Sequence, residues 1–99
     1  MSITTSKAGD VLTIKIAGRF DFSSHQEFRD AYEGRDGTVG AYRIDMGETT
    51  YLDSSALGML LLLRDFAGGD NADISILNCN NDVRKILTIS NFEQLFRIQ

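Results

Sequence analysis

Asp53-Ser54-Ser55 is the arrangement in this 99-residue chain with the clearest chemical use. Two hydroxyls beside a carboxylate offer a nucleophile or a phosphoryl acceptor, and the same residue types cap helix N-termini by accepting hydrogen bonds from free amides. Capping alone explains such a tripeptide in most proteins, so its meaning rests on the element behind it. Other chemistry finds little support in the residue types. His25 is the sole histidine, and a Ser-His-Asp triad or a histidine-rich metal site needs partners that the sequence does not announce. Beside Phe28 and Tyr32 it reads as a packing or surface residue. One cysteine, Cys79, supplies neither an internal disulfide nor a cysteine-based zinc site and points to a reducing compartment, the cytoplasm. The patterns G-x-S-x-G, G-x-x-x-x-G-K-[ST] and G-x-G-x-x-G are absent. No catalytic residue, metal or cofactor is therefore expected, and an enzyme using Ser54 as nucleophile is kept only as a third reading.

The serines need a helix to present them. Residues 54–67 form the most apolar run, and Gly68-Gly69 stops it as a helix C-terminus commonly does. At about 100° per residue, Ala56, Met59, Leu60, Leu63, Phe66 and Ala67 share one arc and face a sheet. Leu57 and Leu61 then fall on the far side with Ser54, Gly58, Arg64 and Asp65. Two leucines one turn apart, rising from a hydroxyl at the helix start and edged by charge, make Leu57, Gly58, Leu61 and Arg64 a candidate partner-binding patch. Coverage of the patch by another element is the alternative.

The helix in turn needs a sheet. Apolar residues alternate over residues 11–17, the period of a half-buried strand, and Gly18 closes it. Residues 3–6 are a short antiparallel edge partner across the Gly9-Asp10 turn. Residues 42–46 alternate again and end at Gly47, residues 74–77 are a short buried strand, and residues 95–98 are the last. Asp45, at a strand end, lacks the acidic pair that a phospho-receiver domain carries after an early strand. Ser23 or Ser24, with Gln26 or Glu27 three residues on, offers a capping box for a helix bearing His25, Phe28, Ala31 and Tyr32, ended by Gly34, Gly37 and Gly40. Residues 80–82 cap another helix with Val83, Ile86, Leu87 and Ser90 on one stripe. Strands alternating with helices give an α/β fold, a mixed sheet of about five strands with helices packed mainly on one face. The length suits a single domain over residues 1–99.

Composition narrows the partners. A net charge of −4 argues against an electrostatic grip on nucleic acid or on an anionic membrane. Residues 1–7 lack the apolar core of a signal peptide, and the longest apolar stretch, residues 56–63, falls short of the roughly 20 needed to span a bilayer. A soluble protein is expected.

Asp53-Ser54-Ser55-Ala56-Leu57-Gly58 resembles the D-S-S-G-L-G segment of STAS-domain anti-sigma factor antagonists, and Gly18-Arg19-Phe20-Asp21 is similar to that family's G-x-x-D. The element order agrees over nearly the whole chain. The resemblance implies that Ser54 is phosphorylated by an ATP-binding anti-sigma factor serine kinase and reset by a metal-dependent serine phosphatase. It further implies that the unphosphorylated form captures the kinase and the phosphorylated form lets go, with Asp53, Ser55 and Asp21 shaping the phosphosite. Three positions depart from the pattern. Ala56 replaces a glycine and favours the helix start. Thr49 stands where an apolar residue is common, and Arg43 where the central strand is usually aliphatic, so Arg43 must snorkel, find a carboxylate or lie exposed. Relatives with other outputs leave a ligand-sensing module for a nucleotide or lipid as the alternative.

Overall fold

A computed structural model describes residues 2–33 and 39–99. Gly34 and Gly37, expected in the connection after the first helix, lie outside the described residues. Five strands, β1 (Ser2–Ala8), β2 (Val11–Phe20), β3 (Ala41–Leu52), β4 (Ile74–Leu77) and β5 (Arg97–Ile98), line up in that order in one sheet. The β1–β2 hairpin is antiparallel and the three remaining pairings are parallel. Parallel neighbours need a crossover, which α1 (His25–Tyr32), α2 (Ser54–Phe66) and α3 (Asn81–Ile89) provide in turn.

Period-two alternation decides which face is covered. Leu12, Ile14, Ile16 and Phe20 of β2 are buried, as are Tyr42, Ile44 and Met46 of β3 and Ile74 and Ile76 of β4. They form one core with Phe28, Ala31 and Tyr32 of α1, Ala56, Met59, Leu60 and Leu63 of α2, and Val83 and Leu87 of α3. The opposite face carries Lys15 and Arg43, both exposed, and Lys15 pairs with Glu48 at 2.5 Å. The mixed five-stranded sheet with helices on one face is thus the architecture that the sequence implies. Arg43 resolves to the exposed option.

Two strands run further than their glycines suggest. β2 continues past Gly18 to Phe20, and β3 past Gly47 to Leu52. The ladder slips between Lys15 and Ala17, where β3 advances from Asp45 to Glu48, and again between Gly18 and Arg19, where it advances from Thr49 to Tyr51. Each slip places an extra β3 residue against β2, a bulge that breaks the alternation from which a strand is recognised. Gly18 takes φ +87°, which a side chain would resist. Thr49 is buried beside the slips because its hydroxyl donates to the Ile16 carbonyl at 2.7 Å, a bond that no aliphatic residue makes. The last strand is shorter than expected: the Leu95 and Phe96 amides donate back to the Phe92 carbonyl at 2.9 and 2.8 Å, closing a single 3-10 turn over residues 92–94, and the strand starts at Arg97.

Helix ends follow the caps. Asn80 accepts from the Val83 amide at 2.8 Å and donates to the Thr49 carbonyl at 3.1 Å, tying the start of α3 to bulged β3. Gly68, at φ +118°, stops α2 in the left-handed region. Among the described residues no helix is long and apolar enough to cross a membrane.

Candidate functional site at the carboxyl edge of the sheet

Phe20 and Leu52 are the last paired residues of β2 and β3, so the residues that follow, Asp21 and Asp53, leave the same edge of the sheet side by side. Both are helix caps. Asp53, in extended conformation, accepts from the Ala56 amide at 3.0 Å while its carbonyl accepts from Leu57 at 3.2 Å. The amides of Ser54 and Ser55 precede the first intrahelical bond and point out of the helix end. Ser54, the first residue of α2, is exposed, and Ser55 is half-buried. An exposed hydroxyl therefore sits at the positive end of a 13-residue helix dipole. Asp53→Ala should cost about 0.5–2 kcal/mol of stability, whereas Asp53→Asn, which keeps the capping oxygen, should cost little. Thermal unfolding of the two variants checks this.

Asp21 behaves differently from the expectation for its neighbours. The capping box expected at Ser23 or Ser24 with Gln26 or Glu27 does not form. Instead Asp21 caps a 3-10 turn, Phe22–Ser24, which leads into α1. Its Oδ1 accepts from the Ser23 amide at 3.0 Å and the Ser23 hydroxyl at 2.5 Å, and its own amide donates to Ser24 Oγ at 3.3 Å. A carboxylate at the strand end outcompetes a serine hydroxyl as acceptor. Gln26 turns to Asp30 at 2.8 Å. The Ser23 hydroxyl, followed by its amide and by Arg19, holds the Asp21 carboxyl below the usual carboxylate range. The stability that Asp21 lends is thus present above its unfolded value and is lost as pH falls through the lower folded one.

Sequence reasoning overlooked the rim of this edge. Arg19 places its guanidinium carbon 4.2 Å from the Tyr51 ring centroid and its Nε 3.4 Å from Asp21 Oδ2. Phe22 is 72% exposed and stacks on His25 with ring centroids 6.0 Å apart, so His25 is a surface packing residue. An aromatic between the strand end expected at Gly18 and the helix cap expected at Ser23, outside any core register, was the available signal.

The solvent side of α2 needs two corrections. Leu61 is 40% exposed, but Leu57 is only half-exposed and packs on the core. Conversely Phe66, assigned to the sheet side, is 52% exposed and meets Tyr32 edge-on at 5.1 Å, and Leu62 is equally exposed. Leu57 and Phe66 lie at opposite margins of the buried arc, where a neighbouring element rather than the wheel decides. The flank toward Phe66 meets Tyr32 of α1. Arg64 is mostly covered, donating to Asp70 at 2.9 Å and to the Leu95 carbonyl at 3.3 Å. Gly58 lies half-buried between the two apolar stripes, and a Cβ there would touch nothing within 4 Å among the described residues. Among the described residues no group of three histidine, cysteine or acidic side chains converges as a metal site. Burial pushes the half-covered Cys79 thiol up, away from thiolate chemistry.

This arrangement can be set beside known proteins. The family profile described as "Mlab, STAS domain" matches residues 3–97. A STAS-domain containing protein of Pseudomonas aeruginosa (strain UCBPP-PA14) is 64% identical over 100 residues, covering 99% of each chain. Among solved structures, an anti-sigma factor antagonist from Mycobacterium paratuberculosis superposes with a TM-score of 0.81 at 14% identity, over 98% of this chain and 83% of that one. The Bacillus cell fate determinant SpoIIAA in its phosphorylated form gives 0.73 at 17% identity, over 99% and 91%.

Proposed function

The chain belongs to the STAS-domain family, and from that premise we propose that it is a phosphorylation-controlled protein-binding switch of the anti-sigma factor antagonist type, without catalysis of its own. The observation that carries the proposal is an exposed Ser54 at the first position of α2, backed by Asp53 as cap. Unphosphorylated, the chain binds an ATP-dependent anti-sigma factor serine kinase. The kinase moves the γ-phosphoryl group of ATP onto Ser54 Oγ, with base and metal supplied by the kinase. A metal-dependent serine phosphatase hydrolyses the ester and resets the switch. Asp53 and Ser55 set the orientation of the hydroxyl, and Asp21 holds the neighbouring turn.

Leu57, Gly58, Leu61 and Arg64 form the docking face in this reading, with Leu61 its exposed centre and Leu57 and Arg64 partly covered at its margins. Gly58 supports it physically. A glycine inside a helix costs about 1 kcal/mol against alanine, and among the described residues nothing comes near enough to need the missing Cβ. Close approach by a partner gives the glycine a use. Gly58→Ala should raise stability by up to about 1 kcal/mol and weaken kinase binding; a thermal melt and a titration calorimetry run on one variant read both effects.

The proposal as a whole is tested by capture. Kinase immobilised on a column should retain the unmodified chain and release it on addition of ATP and magnesium, and phosphatase treatment of the eluate should restore retention. A chain that stays bound after stoichiometric phosphorylation overturns the switch.

A further inference from the structure

On the helix-free side of the sheet, Arg43 of β3 stands opposite Ser75 of β4, which stands opposite Arg97 of β5. Adjacent strands lie about 4.8 Å apart, so the two arginine backbones are roughly 10 Å apart with a serine between them, a gap that two arginine side chains can close. A groove of about 200 Å³ opens over this row, lined by Arg43, Ser75 and Arg97 together with Tyr42, Asp73 and Leu77. The chain is acidic, at −4, yet the side chains of its groove set two guanidinium groups against the Asp73 carboxylate, with Gln99 also in the lining. Arg97 is the arginine that Asp73 engages, with Nη1 3.1 Å from Asp73 Oδ1 and 3.4 Å from Ser75 Oγ. Arg43 is exposed and contributes nothing to the core.

We propose that this groove binds a phosphate group, either free or as a small soluble phosphomonoester, between Arg43 and Arg97. A guanidinium presents a planar fork of donors that matches two phosphate oxygens, and two such forks suit a dianion better than any neutral ligand. The Ser75 oxygen accepts from Arg97, which leaves its O–H to donate to the ligand. Asp73 is ion-paired with Arg97 at the rim. Size narrows the class: pockets for drug-sized molecules run from about 300 to 1,000 Å³, so about 200 Å³ takes a phosphate on a short carbon chain and leaves a nucleotide base outside. The proposal is independent of the phosphoserine reading. Arg43 lies near the start of β3 and Ser54 just beyond its end, a separation of roughly 25–30 Å along the strand.

An NMR titration of backbone amides tests it, using the full chain with sodium phosphate and separately with glycerol 3-phosphate, ionic strength being held constant with sodium chloride. Saturable shifts should appear at Arg43, Ser75 and Arg97 while residues 54–57 stay still. Arg43→Gln and Arg97→Gln should each weaken binding about tenfold or more, and Arg43→Lys should recover part of the loss. Ser54→Ala should titrate like the parent, which separates this site from the switch. Shifts that grow without saturating, shifts centred on residues 54–57, or a folded Arg43→Gln chain that binds as well as the parent would each overturn the proposal.

Discussion

Ser54→Ala is expected to hold the kinase permanently and take no phosphate, while Ser54→Asp folds normally and binds it weakly. Local electrostatics give the reason. Phosphorylation brings about −1.5 to −2 charges to the start of α2, where the helix dipole and the free amides stabilise an anion by roughly 0.3–1 kcal/mol. That is enough to offset repulsion from a half-exposed Asp53, so the free domain should tolerate the group with little change in thermal midpoint. In the proposed complex, the phosphate would lie one turn from Leu57 and two turns from Leu61 under a partner surface. Desolvating a charge there costs several kcal/mol unless a cation receives it, and each 1.4 kcal/mol is about tenfold in affinity. Phosphorylated chain should therefore bind about a hundredfold or more weakly than unmodified chain by calorimetry, with superimposable circular dichroism. Ser54→Asp, with less charge and a shorter reach, should fall between the two. Melting of the phosphorylated chain near room temperature would show instead that the switch works by unfolding.

Adjacent leucines on α2 should separate stability from binding. Leu60 is fully buried against the sheet, whereas Leu61 is 40% exposed. Leu60→Ala leaves a cavity in a packed core and should cost about 2–5 kcal/mol, a large part of the 5–15 kcal/mol that holds a typical domain together. At roughly 4–8 °C per kcal/mol for a chain of this size, its thermal midpoint should fall by about 8 °C or more. Leu61→Ala should move the midpoint by no more than about 0.5 kcal/mol equivalent. If Leu61 anchors the kinase, the same truncation should cost about 1 kcal/mol of binding, a five- to tenfold loss. Leu57 is half-covered, so Leu57→Ala should show a share of both effects. Equal destabilisation by Leu60→Ala and Leu61→Ala would make the exposed stripe part of the core.

The two margins of α2 also show where sequence reading stopped. The centre of its apolar arc, Ala56, Met59, Leu60 and Leu63, was legible because burial at 3.6-residue spacing needs no knowledge of neighbours. Leu57 and Phe66 lie at the edges of that arc, and their exposure depends on which flank a neighbouring element covers. The ends of β2 and β3 were hidden for another reason: bulges opposite Ile16 and beside Gly18 break the alternation, and glycine reads as a strand end when it serves a bulge. Those hidden residues build the site. Extension of both strands to Phe20 and Leu52 is what sets Asp21 beside Asp53 and Arg19 over Tyr51. The cap at Asp53 was legible from residue type alone, while the cap at Asp21 was assigned to the serines after it, since all three residues can accept the same amide bonds. Arg43 could be flagged in the sequence but not placed, because only the bare face of the sheet and its register with Ser75 and Arg97 give it surroundings.

The central claim is that Ser54 alone is the acceptor, and a map of the phosphate tests it most directly. After incubation with the kinase and ATP, trypsin cutting at Arg43 and Arg64 releases residues 44–64 with both Ser54 and Ser55, and cutting at Arg19 and Arg29 releases residues 20–29 with Ser23 and Ser24. Fragmentation by tandem mass spectrometry separates the four serines. One phosphate on Ser54, with Ser55 and residues 20–29 unmodified, is the predicted result. Phosphate on Ser55, Ser23 or Ser24 with Ser54 untouched would contradict the account.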